Sequence, residues 1–171
     1  MKNIGIVRKV DSLGRIVIPR EYRKIYKITV SDPIEITALE NGDIILRKVD
    51  VSAELKTVGV PMCGHLAAAL GGTVMVSDSD RFLAGAGVAP GAYSGTRLPA
   101  KAKKTAELPD GFNGPAQELG FNGDGSVCIA PVKKNDSFGF LAHFSPSPIP
   151  ASDEKLLKTV AAVLADSMQK Y

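Results

Sequence analysis

The stretch Asp11-Ser12-Leu13-Gly14-Arg15-Ile16-Val17-Ile18-Pro19 decides how the first fifty residues of the chain fold. Its first four residues have the composition of a tight turn, in which Gly14 can supply a positive φ. The segments on either side, Ile4–Val10 and Arg15–Ile18, are rich in β-branched residues, which predicts two short strands. Pro19 then suits the first position of a helix, where its missing N–H group costs nothing.

A short helix and a hairpin complete this N-terminal module. Ile34–Leu39 alternates between apolar and polar residues, Asn41-Gly42 is a strong hairpin signal, and Ile44–Leu46 follows as the return strand. The helix residues that recur at i, i+3 and i+4, and that we expect to face the core, are Tyr22, Ile25 and Tyr26. Four strands and one helix in about fifty residues make a poor core for one chain, so we expect an obligate dimer.

The formal net charge of +3 is distributed unevenly along the 171 residues. Residues 1–30 carry eight basic and two acidic side chains, whereas residues 31–50 carry two and five. Residues 51–171 carry eleven of each and are neutral. A small basic module joined to a larger neutral part makes a membrane protein or a simple enzyme less expected, and it argues against DNA binding by the neutral part through bulk charge.

A helical pattern follows the N-terminal module between Val51 and Leu70. Its apolar positions are spaced 3, 4, 4 and 3 residues apart, which is typical of a heptad-like seam. Pro61 predicts a kink or two consecutive helices, and Gly71-Gly72 predicts the end of the helix. The residues of the predicted seam are Leu55, Val58, Met62, Leu66 and Ala69.

The rest of the chain predicts an antiparallel sheet with helices packed on it. The predicted strands are Thr73–Val76, Arg81–Gly85, Ser126–Val132 and Phe138–Ser145. A short basic helix is expected at Ala100–Glu107, a loop at residues 108–125, and a last helix after Ser152, its expected N-cap. The residues expected on the buried face of that helix are Leu157, Val160, Ala161, Leu164 and Met168. We therefore predict an α+β chain with a module at residues 1–50, a helical linker at 51–72 and a second domain at 73–171.

The segment from Gly5 to Pro19 strongly resembles the AbrB family of bacterial transition-state regulators. The similarity continues through Arg23-Lys24, Asp32–Ile36 and Ile44–Lys48. The resemblance implies that two chains interleave their hairpins into a swapped-hairpin β-barrel dimer. It also implies that a basic face of that dimer binds double-stranded DNA.

The longer tail resembles members of this family that couple an AbrB-type domain to a GAF-like sensor domain. The matching segments are Leu70–Val74, Ser77–Asp80, Pro131-Val132 and Phe138–Phe140. The resemblance implies a homotetramer built through the linker and the C-terminal domain, and control of sporulation or transition-state genes. Two uses of the tail stay open, namely binding of a small-molecule effector and ligand-free assembly.

Six basic residues are the candidate DNA-binding site. Arg8, Arg15, Arg23 and Lys24 lie where the resembled family contacts DNA, and Lys9 and Arg20 are neighbours that could add phosphate contacts. A dimer doubles the net charge of residues 1–30, and binding would release condensed counterions from DNA. The acidic residues among them, Asp11 and Glu21, are expected to pair with arginines and orient them.

Metal binding and catalysis are weaker hypotheses. Two cysteines and two histidines allow a Cys₂His₂ site in number, but Cys63 and His65 would diverge on a helix. Cys128 and His143 lie in apolar strand sequence, where a buried thiol or imidazole is ordinary. We expect no metal, no cofactor and no catalytic residues.

Other functional classes are compatible with parts of the sequence. Antitoxins also use swapped-hairpin DNA-binding domains, but their toxin-binding tails are usually acidic and disordered, whereas this tail is neutral and patterned for a core. An enzyme with a GAF-like regulatory domain would need a separate catalytic domain. No run approaches the roughly 18 apolar residues of a membrane span, and no signal-peptide core is evident, so we expect a cytoplasmic, nucleoid-associated protein.

Overall fold

The computed structural model describes residues 5–30, 32–106, 108–133 and 137–168. Two units divide the chain, the first ending at Val49 and the second beginning at Asp50. The predicted strand start at Ile4 and the predicted helix end at Glu107 lie outside the described residues. Among the described residues, no helix has the length and apolar character needed to span a membrane.

The first unit contains one short helix and one hairpin. Helix α1 spans Arg20–Ile25, so the predicted helix is present, but Pro19 is its extended N-cap and not its first helical residue as predicted. Strands β1 (Ile34–Ala38) and β2 (Ile44–Lys48) pair antiparallel in a register that places Ile36 opposite Leu46. This hairpin confirms the prediction made from Asn41-Gly42.

The two strands predicted around the Asp11 turn are not strands in the single chain. Residues 5–10 and 15–18 have no strand assignment, although the Asp11 amide donates to the Arg15 carbonyl over 3.0 Å. A strand needs a hydrogen-bonded neighbour, and no described residue of the single chain pairs with these segments as a strand. We attribute the wrong prediction to this missing neighbour.

The helix stripe predicted to face a core is also wrong for the single chain. Ile25 and Tyr26 are 67% and 64% exposed, and Tyr22 is partly buried. Among the described residues of this unit, only Pro19 and Val49 are buried. A unit of about fifty residues has too little interior to cover the apolar side chains of α1, β1 and β2.

The second unit is a five-stranded sheet with helices packed on it. Its helices are α2 (Val51–Leu70), α3 (Ala100–Ala106) and α4 (Ala151–Ser167). Its strands are β3 (Thr73–Ser77), β4 (Phe82–Gly87), β5 (Phe112–Pro115), β6 (Ser126–Lys133) and β7 (Ser137–Ser145). The strand order is β4-β3-β7-β6-β5, and each neighbouring pair is antiparallel. The predicted strands and the antiparallel sheet are confirmed.

The segment predicted as a loop at residues 108–125 contains an extra strand. β5 pairs with β6 at the edge of the sheet, and a 3₁₀ helix at Ala116–Leu119 follows it. An edge strand tolerates Gly114 and Pro115, because one side of its backbone needs no partner strand. Glycine and proline content therefore gave a wrong loop prediction here.

Alternation along the strands builds one apolar core on each face of the sheet. Val74 and Val76 pack on the face covered by α2 and α4, whereas Met75 points to the other face. The helix-covered core also contains Leu55, Cys63, Leu66, Cys128, Leu157, Ala161 and Leu164. The opposite core is aromatic and contains Phe82, Phe121, Phe140 and Phe144. Residues at successive strand positions thus stabilise two different layers.

Helix α2 is continuous, and its buried face shares only Leu55 and Leu66 with the predicted seam. Pro61 lies inside it, and its buried residues are Leu55, Gly59, Cys63 and Leu66. A Cβ atom at Gly59 would lie 3.0 Å from Val76 Cγ2, so the absence of a side chain lets the helix approach β3 closely. This close approach turns Gly59 and Cys63 inward, while Val58 and Met62 are only partly buried.

Helix α4 begins earlier than predicted but buries the predicted face. Its N-cap is Pro150 and not Ser152, whose hydroxyl donates to Asp153 Oδ1 over 3.0 Å. The extended φ and ψ of Pro150, −70° and 157°, place the first helical residue at Ala151. Leu157, Ala161, Leu164 and Met168 are fully or almost fully buried, and Val160 is partly buried.

The cysteines and one histidine belong to the packed interior of the second unit. Burial raises the pKa of the Cys63 and Cys128 thiols to about 12, so both stay protonated near neutral pH. His143 is 2% exposed, and its Nε2 lies 3.1 Å from the Gly71 carbonyl oxygen. Burial lowers the pKa of His143. Among the described residues, no group of three or more His, Cys, Asp or Glu side chains is placed to hold a metal ion.

Two consecutive glycines after α2 provide a matched test of packing against backbone strain. Gly71 and Gly72 have φ values of 73° and 66°, but only Gly72 is confined, since a Cβ atom there would lie 2.2 Å from the Phe144 carbonyl oxygen. Gly71→Ala should cost about 1 kcal/mol of unfolding free energy through the left-handed backbone alone. Gly72→Ala should cost about 1 to 3 kcal/mol more, because the strand backbone must shift. Urea unfolding of both variants checks this, and equal losses would contradict it.

The buried imidazole makes stability depend on pH. Because the pKa of His143 is lower in the folded state, the unfolded chain binds the proton more readily below about pH 6.5. The free energy of unfolding should therefore fall as pH drops from 7.5 to 5.5, by at most about 1.4 kcal/mol per pH unit. His143→Gln should flatten this dependence, and His65→Gln, at the exposed histidine, should retain it. An identical pH dependence in wild type and His143→Gln would refute this role.

Candidate nucleic-acid interface

The turn before Arg15 is organised by one carboxylate. Asp11 Oδ1 accepts hydrogen bonds from the amides of Leu13 and Arg15, each at 2.9 Å, while Gly14 takes a φ of 77°. The same side chain holds the arginine, with Asp11 Oδ2 2.7 Å from Arg15 Nε. Asp11 therefore fixes both the turn and the guanidinium, and the predicted pairing of Asp11 with an arginine is confirmed.

The Asp11–Arg15 pair keeps its charges at the surface. The amide and the guanidinium of Arg15, with the Leu13 amide, lower the pKa of Asp11, so the carboxylate stays ionised well below neutral pH. The Arg15 side chain remains 71% exposed despite the contact. Its guanidinium is thus held in a defined position while most of its surface stays available to a ligand.

Helix α1 gathers a second group of cations. Arg20, Arg23 and Lys24 line a shallow concavity of about 350 Å³ together with Lys27, Ile28 and Thr29. Lys27 is not among the six predicted residues, and it lies beyond the end of α1, so only the fold brings it beside Arg23 and Lys24. Its left-handed backbone, with a φ of 51°, ends the helix there.

A lysine outside the predicted site ties this helix to the hairpin. Lys48 Nζ lies 2.7 Å from the Lys27 carbonyl oxygen and 2.7 Å from Asp32 Oδ2. Asp32 also accepts a 2.6 Å hydrogen bond from the Thr29 amide. Lys48 first, and then the Thr29 amide, lower the pKa of Asp32 and keep it ionised. These contacts fix the end of α1 relative to β2.

All six predicted DNA-binding residues are exposed, but the single chain brings only some of them together. Arg20, Arg23 and Lys24 share the concavity on α1, and Arg15 is positioned by Asp11. Arg8 and Lys9 lie on the extended segment before the turn and are exposed. The assignment of the six residues to DNA contact therefore stays a prediction.

The first unit also exposes an unusual amount of apolar surface. Val7, Val17, Ile36 and Ile44 are 92%, 73%, 68% and 64% exposed. A neighbouring cavity of about 330 Å³ is lined mainly by apolar residues. The lining residues are Ile6, Arg8, Ile16, Val17, Ile18, Pro19, Tyr22, Tyr26, Ile28, Ile34, Leu46 and Lys48. Contiguous apolar surface of this kind marks an interaction site.

The second unit has two further concave surfaces. An apolar groove of about 390 Å³ between α2 and α4 is lined by Met62, His65, Leu66, Ala69, Leu156, Val160 and Val163. A more polar concavity of about 440 Å³ lies where β3, β6 and β7 meet the surrounding loops. Tyr93 forms part of its wall and stacks on Phe144, with ring centroids 4.2 Å apart.

Comparison with known proteins assigns the first unit to a known domain type. Residues 7–53 match the family described as antidote-toxin recognition MazE, bacterial antitoxin. They overlap the Asp11 turn, α1 and the β1–β2 hairpin. Over 48 residues the chain is 52% identical to the putative transition state regulator Abh of Bacillus subtilis (strain 168). That match covers 28% of this chain and 51% of Abh.

The second unit has the fold of a GAF domain. The chain superposes on the second GAF domain of DevS from Mycobacterium smegmatis with a TM-score of 0.52 and 14% identity. The match covers 70% of this chain and 94% of the DevS domain. The first unit is too short to supply such a share, so the likeness lies mainly in the sheet and helices of the second unit.

One relative matches both units together. Stage V sporulation protein T of Bacillus subtilis (strain 168) is 30% identical over 178 residues, which cover 99% of this chain and 100% of that protein. The transition state regulatory protein AbrB of the same organism is 44% identical over 59 residues, covering 34% of this chain and 60% of AbrB. An AbrB-like first unit and a GAF-like second unit thus occur together in a chain that matches one regulator over its whole length. The chain belongs to the stage V sporulation protein T family of AbrB-type regulators.

Proposed function

We propose that this chain is a homo-oligomeric, DNA-binding transcriptional regulator of sporulation or transition-state genes, and not an enzyme. The observation that carries the proposal is the set of exposed, positioned cations on the first unit, namely Arg15 beside Asp11 and the group on α1. Such a surface attracts the phosphate backbone of double-stranded DNA. We therefore propose that the protein is cytoplasmic and associated with the nucleoid. No catalytic residue or cofactor is part of the proposal.

The two cationic groups would act differently on DNA. Arg15 is restrained by Asp11, which lowers the entropy lost when its guanidinium meets a base edge or a phosphate. Arg20, Arg23 and Lys24 form a broader positive surface on α1, suited to phosphate contacts that set the position of the protein. Arg8 and Lys9, which are exposed on the segment before the turn, would add phosphate contacts of their own.

The apolar surface of the first unit supports a dimer. The exposed Val7 and Val17 flank the Asp11 turn, in the segments that lack a strand neighbour. The corresponding segments of a second chain would supply that neighbour and fill the apolar cavity. Swapped hairpins would therefore complete the backbone hydrogen bonds of these segments and bury their apolar side chains at the same time. The dimer would also present twice the positive charge of one chain to DNA.

The second unit would join two such dimers into a tetramer. Leu156 and Val163 on α4 are 40% and 54% exposed beside the apolar groove that α2 shares with α4. Pairing of two such grooves would bury these side chains. The polar concavity beside Tyr93 is the place in this unit where we propose that a small-molecule effector binds and biases the spacing of the DNA-binding dimers.

The name of the matching domain family favours a second candidate, an antitoxin that binds operator DNA and neutralises a toxin. The second unit argues against it, because its residues build two packed cores and not an extended tail. Purification of the untagged protein from its native host distinguishes the two. A stoichiometric small toxin in the purified complex would favour the antitoxin.

Loss of single cations should weaken DNA binding without unfolding the protein. Arg15→Ala and Arg23→Ala should each raise the dissociation constant for operator DNA about tenfold or more at 100 mM salt. Each should also lower the slope of log K against log salt by about one per lost phosphate contact. Fluorescence anisotropy over a salt series measures both quantities.

Lys155→Ala is the matched control, since it removes an exposed charge from α4 in the second unit. It should bind operator DNA like wild type, and circular dichroism should show all three variants folded. Unchanged affinity in both arginine variants at low salt would exclude the proposed DNA-binding surface.

A charged residue on the exposed apolar surface should break the dimer. Val17 is 73% exposed in the single chain, so Val17→Asp would be harmless in a monomer. In the proposed swapped dimer the aspartate would be buried, and the assembly should lose at least half of its mass. Sedimentation velocity measures that mass. Val88→Asp, at a residue that is 83% exposed in the second unit, is the control, and a Val17→Asp protein of wild-type mass would contradict the dimer.

A further inference from the structure

The neutral total charge of residues 51–171 conceals a strongly positive segment. Residues 81–106 contain five basic side chains and no acidic one. The other residues of this range therefore carry a net charge of −5. We call the five cations the second basic surface, and they are Arg81, Arg97, Lys101, Lys103 and Lys104.

A single carboxylate gathers three members of this surface. Arg81 Nη2 and Arg97 Nε lie 3.7 and 3.9 Å from the same oxygen, Asp80 Oδ2. The two guanidinium nitrogens are therefore within about 8 Å of each other. Lys103 Nζ contacts the second oxygen, Asp80 Oδ1. One negative charge thus faces three positive charges, and an excess of two remains at this point.

The backbone beneath the two arginines is well fixed. Arg81 and Arg97 face each other in an isolated antiparallel β-bridge. The Phe82 amide donates to the Thr96 carbonyl over 3.0 Å, and the Leu98 amide donates to the Asp80 carbonyl over 2.8 Å. The guanidiniums are nevertheless accessible, because the Arg97 and Arg81 side chains are 81% and 51% exposed.

Helix α3 extends the positive surface beyond this pair. Ala102 is fully buried in the aromatic core and anchors the helix, whereas Lys101 and Lys104 are exposed. Asp78 adds a second formal negative charge beside Asp80, and its Oδ1 accepts from the amides of Asp80 and Arg81, so the five cations keep an excess of three over these two carboxylates. Asp78 Oδ2 accepts from the Ser52 hydroxyl over 2.9 Å.

We propose that the second basic surface binds the phosphate backbone of DNA that flanks the segment held by the first unit. This inference rests on the proposed function, because it needs DNA already bound by the chain. The five cations cover a strand end and a helix, which suits an extended polyanion with several phosphates. The lowered pKa of Asp80, caused first by Lys103 and then by the two arginines, keeps the organising carboxylate ionised.

The test compares charge removal at two places in the full-length protein. The double variant Arg97→Gln/Lys104→Gln removes two exposed cations of the second basic surface, neither of which is needed for the contact between Lys103 and Asp80. The control Lys133→Gln/Lys155→Gln removes two exposed cations elsewhere in the second unit. Each protein is titrated with a short operator duplex and with one extended at both ends, between 50 and 200 mM salt.

Wild type and the control should bind the extended duplex more tightly than the short one. Arg97→Gln/Lys104→Gln should lose this gain, binding the extended duplex about tenfold or more weakly, with a salt slope lower by about two. On the short duplex all three proteins should bind alike. Arg97→Lys, which keeps the charge, should bind like wild type.

The outcomes separate the two proposals. Equal binding of the extended duplex by wild type and Arg97→Gln/Lys104→Gln would overturn the inference and leave the proposed function intact. If that variant binds DNA normally but loses a thermal stabilisation that inorganic phosphate gives wild type, the surface binds a small anion and not DNA. Failure of wild type to bind either duplex at 50 mM salt would contradict both proposals.

Discussion

The first unit of this chain cannot bury its own apolar surface, and this constraint shapes the rest of the protein. Of its described residues only Pro19 and Val49 are buried, while Val7 and Val17 lie largely in solvent beside a backbone without a strand partner. Folding of about fifty residues loses conformational entropy, which must be offset by burial of apolar surface. One chain alone does not supply enough of that burial. A second copy of the chain would supply both the apolar burial and the strand partner. The same pairing would place two sets of cations in one dimer.

The turn at Asp11 connects this folding problem to the chemistry of the surface. Its carboxylate satisfies the Leu13 and Arg15 amides and holds the Arg15 guanidinium, so one side chain sets both chain direction and charge position. Asp80 has a comparable role in the second unit, where it gathers Arg81, Arg97 and Lys103. In both places an acidic residue among basic ones organises cations, and most of each arginine stays exposed.

Local sequence signals predicted those elements whose partners are near in sequence or in the same unit. Asn41-Gly42 gave the β1–β2 hairpin, and apolar runs beside turn residues gave four of the five strands of the second unit, because a sheet with two covered faces buries successive residues. The strands beside the Asp11 turn and the buried stripe of α1 were wrong for the single chain, since both depend on a neighbour that it lacks. The edge strand β5 was missed because its glycine and proline are tolerated only at an edge.

The sequence by itself determined the family-specific turn, the basic first thirty residues and the α+β character of the chain, because these depend on residue type and short-range spacing. Only the tertiary structure decided which face of α2 is buried, since close approach at Gly59 rotates Cys63 inward. It also decided that Lys27 joins the α1 cations and that Arg81 and Arg97 share one carboxylate oxygen. Charge totals add along the chain, whereas a binding surface requires charges that are distant in sequence to lie within a few ångströms, and folding alone sets those distances.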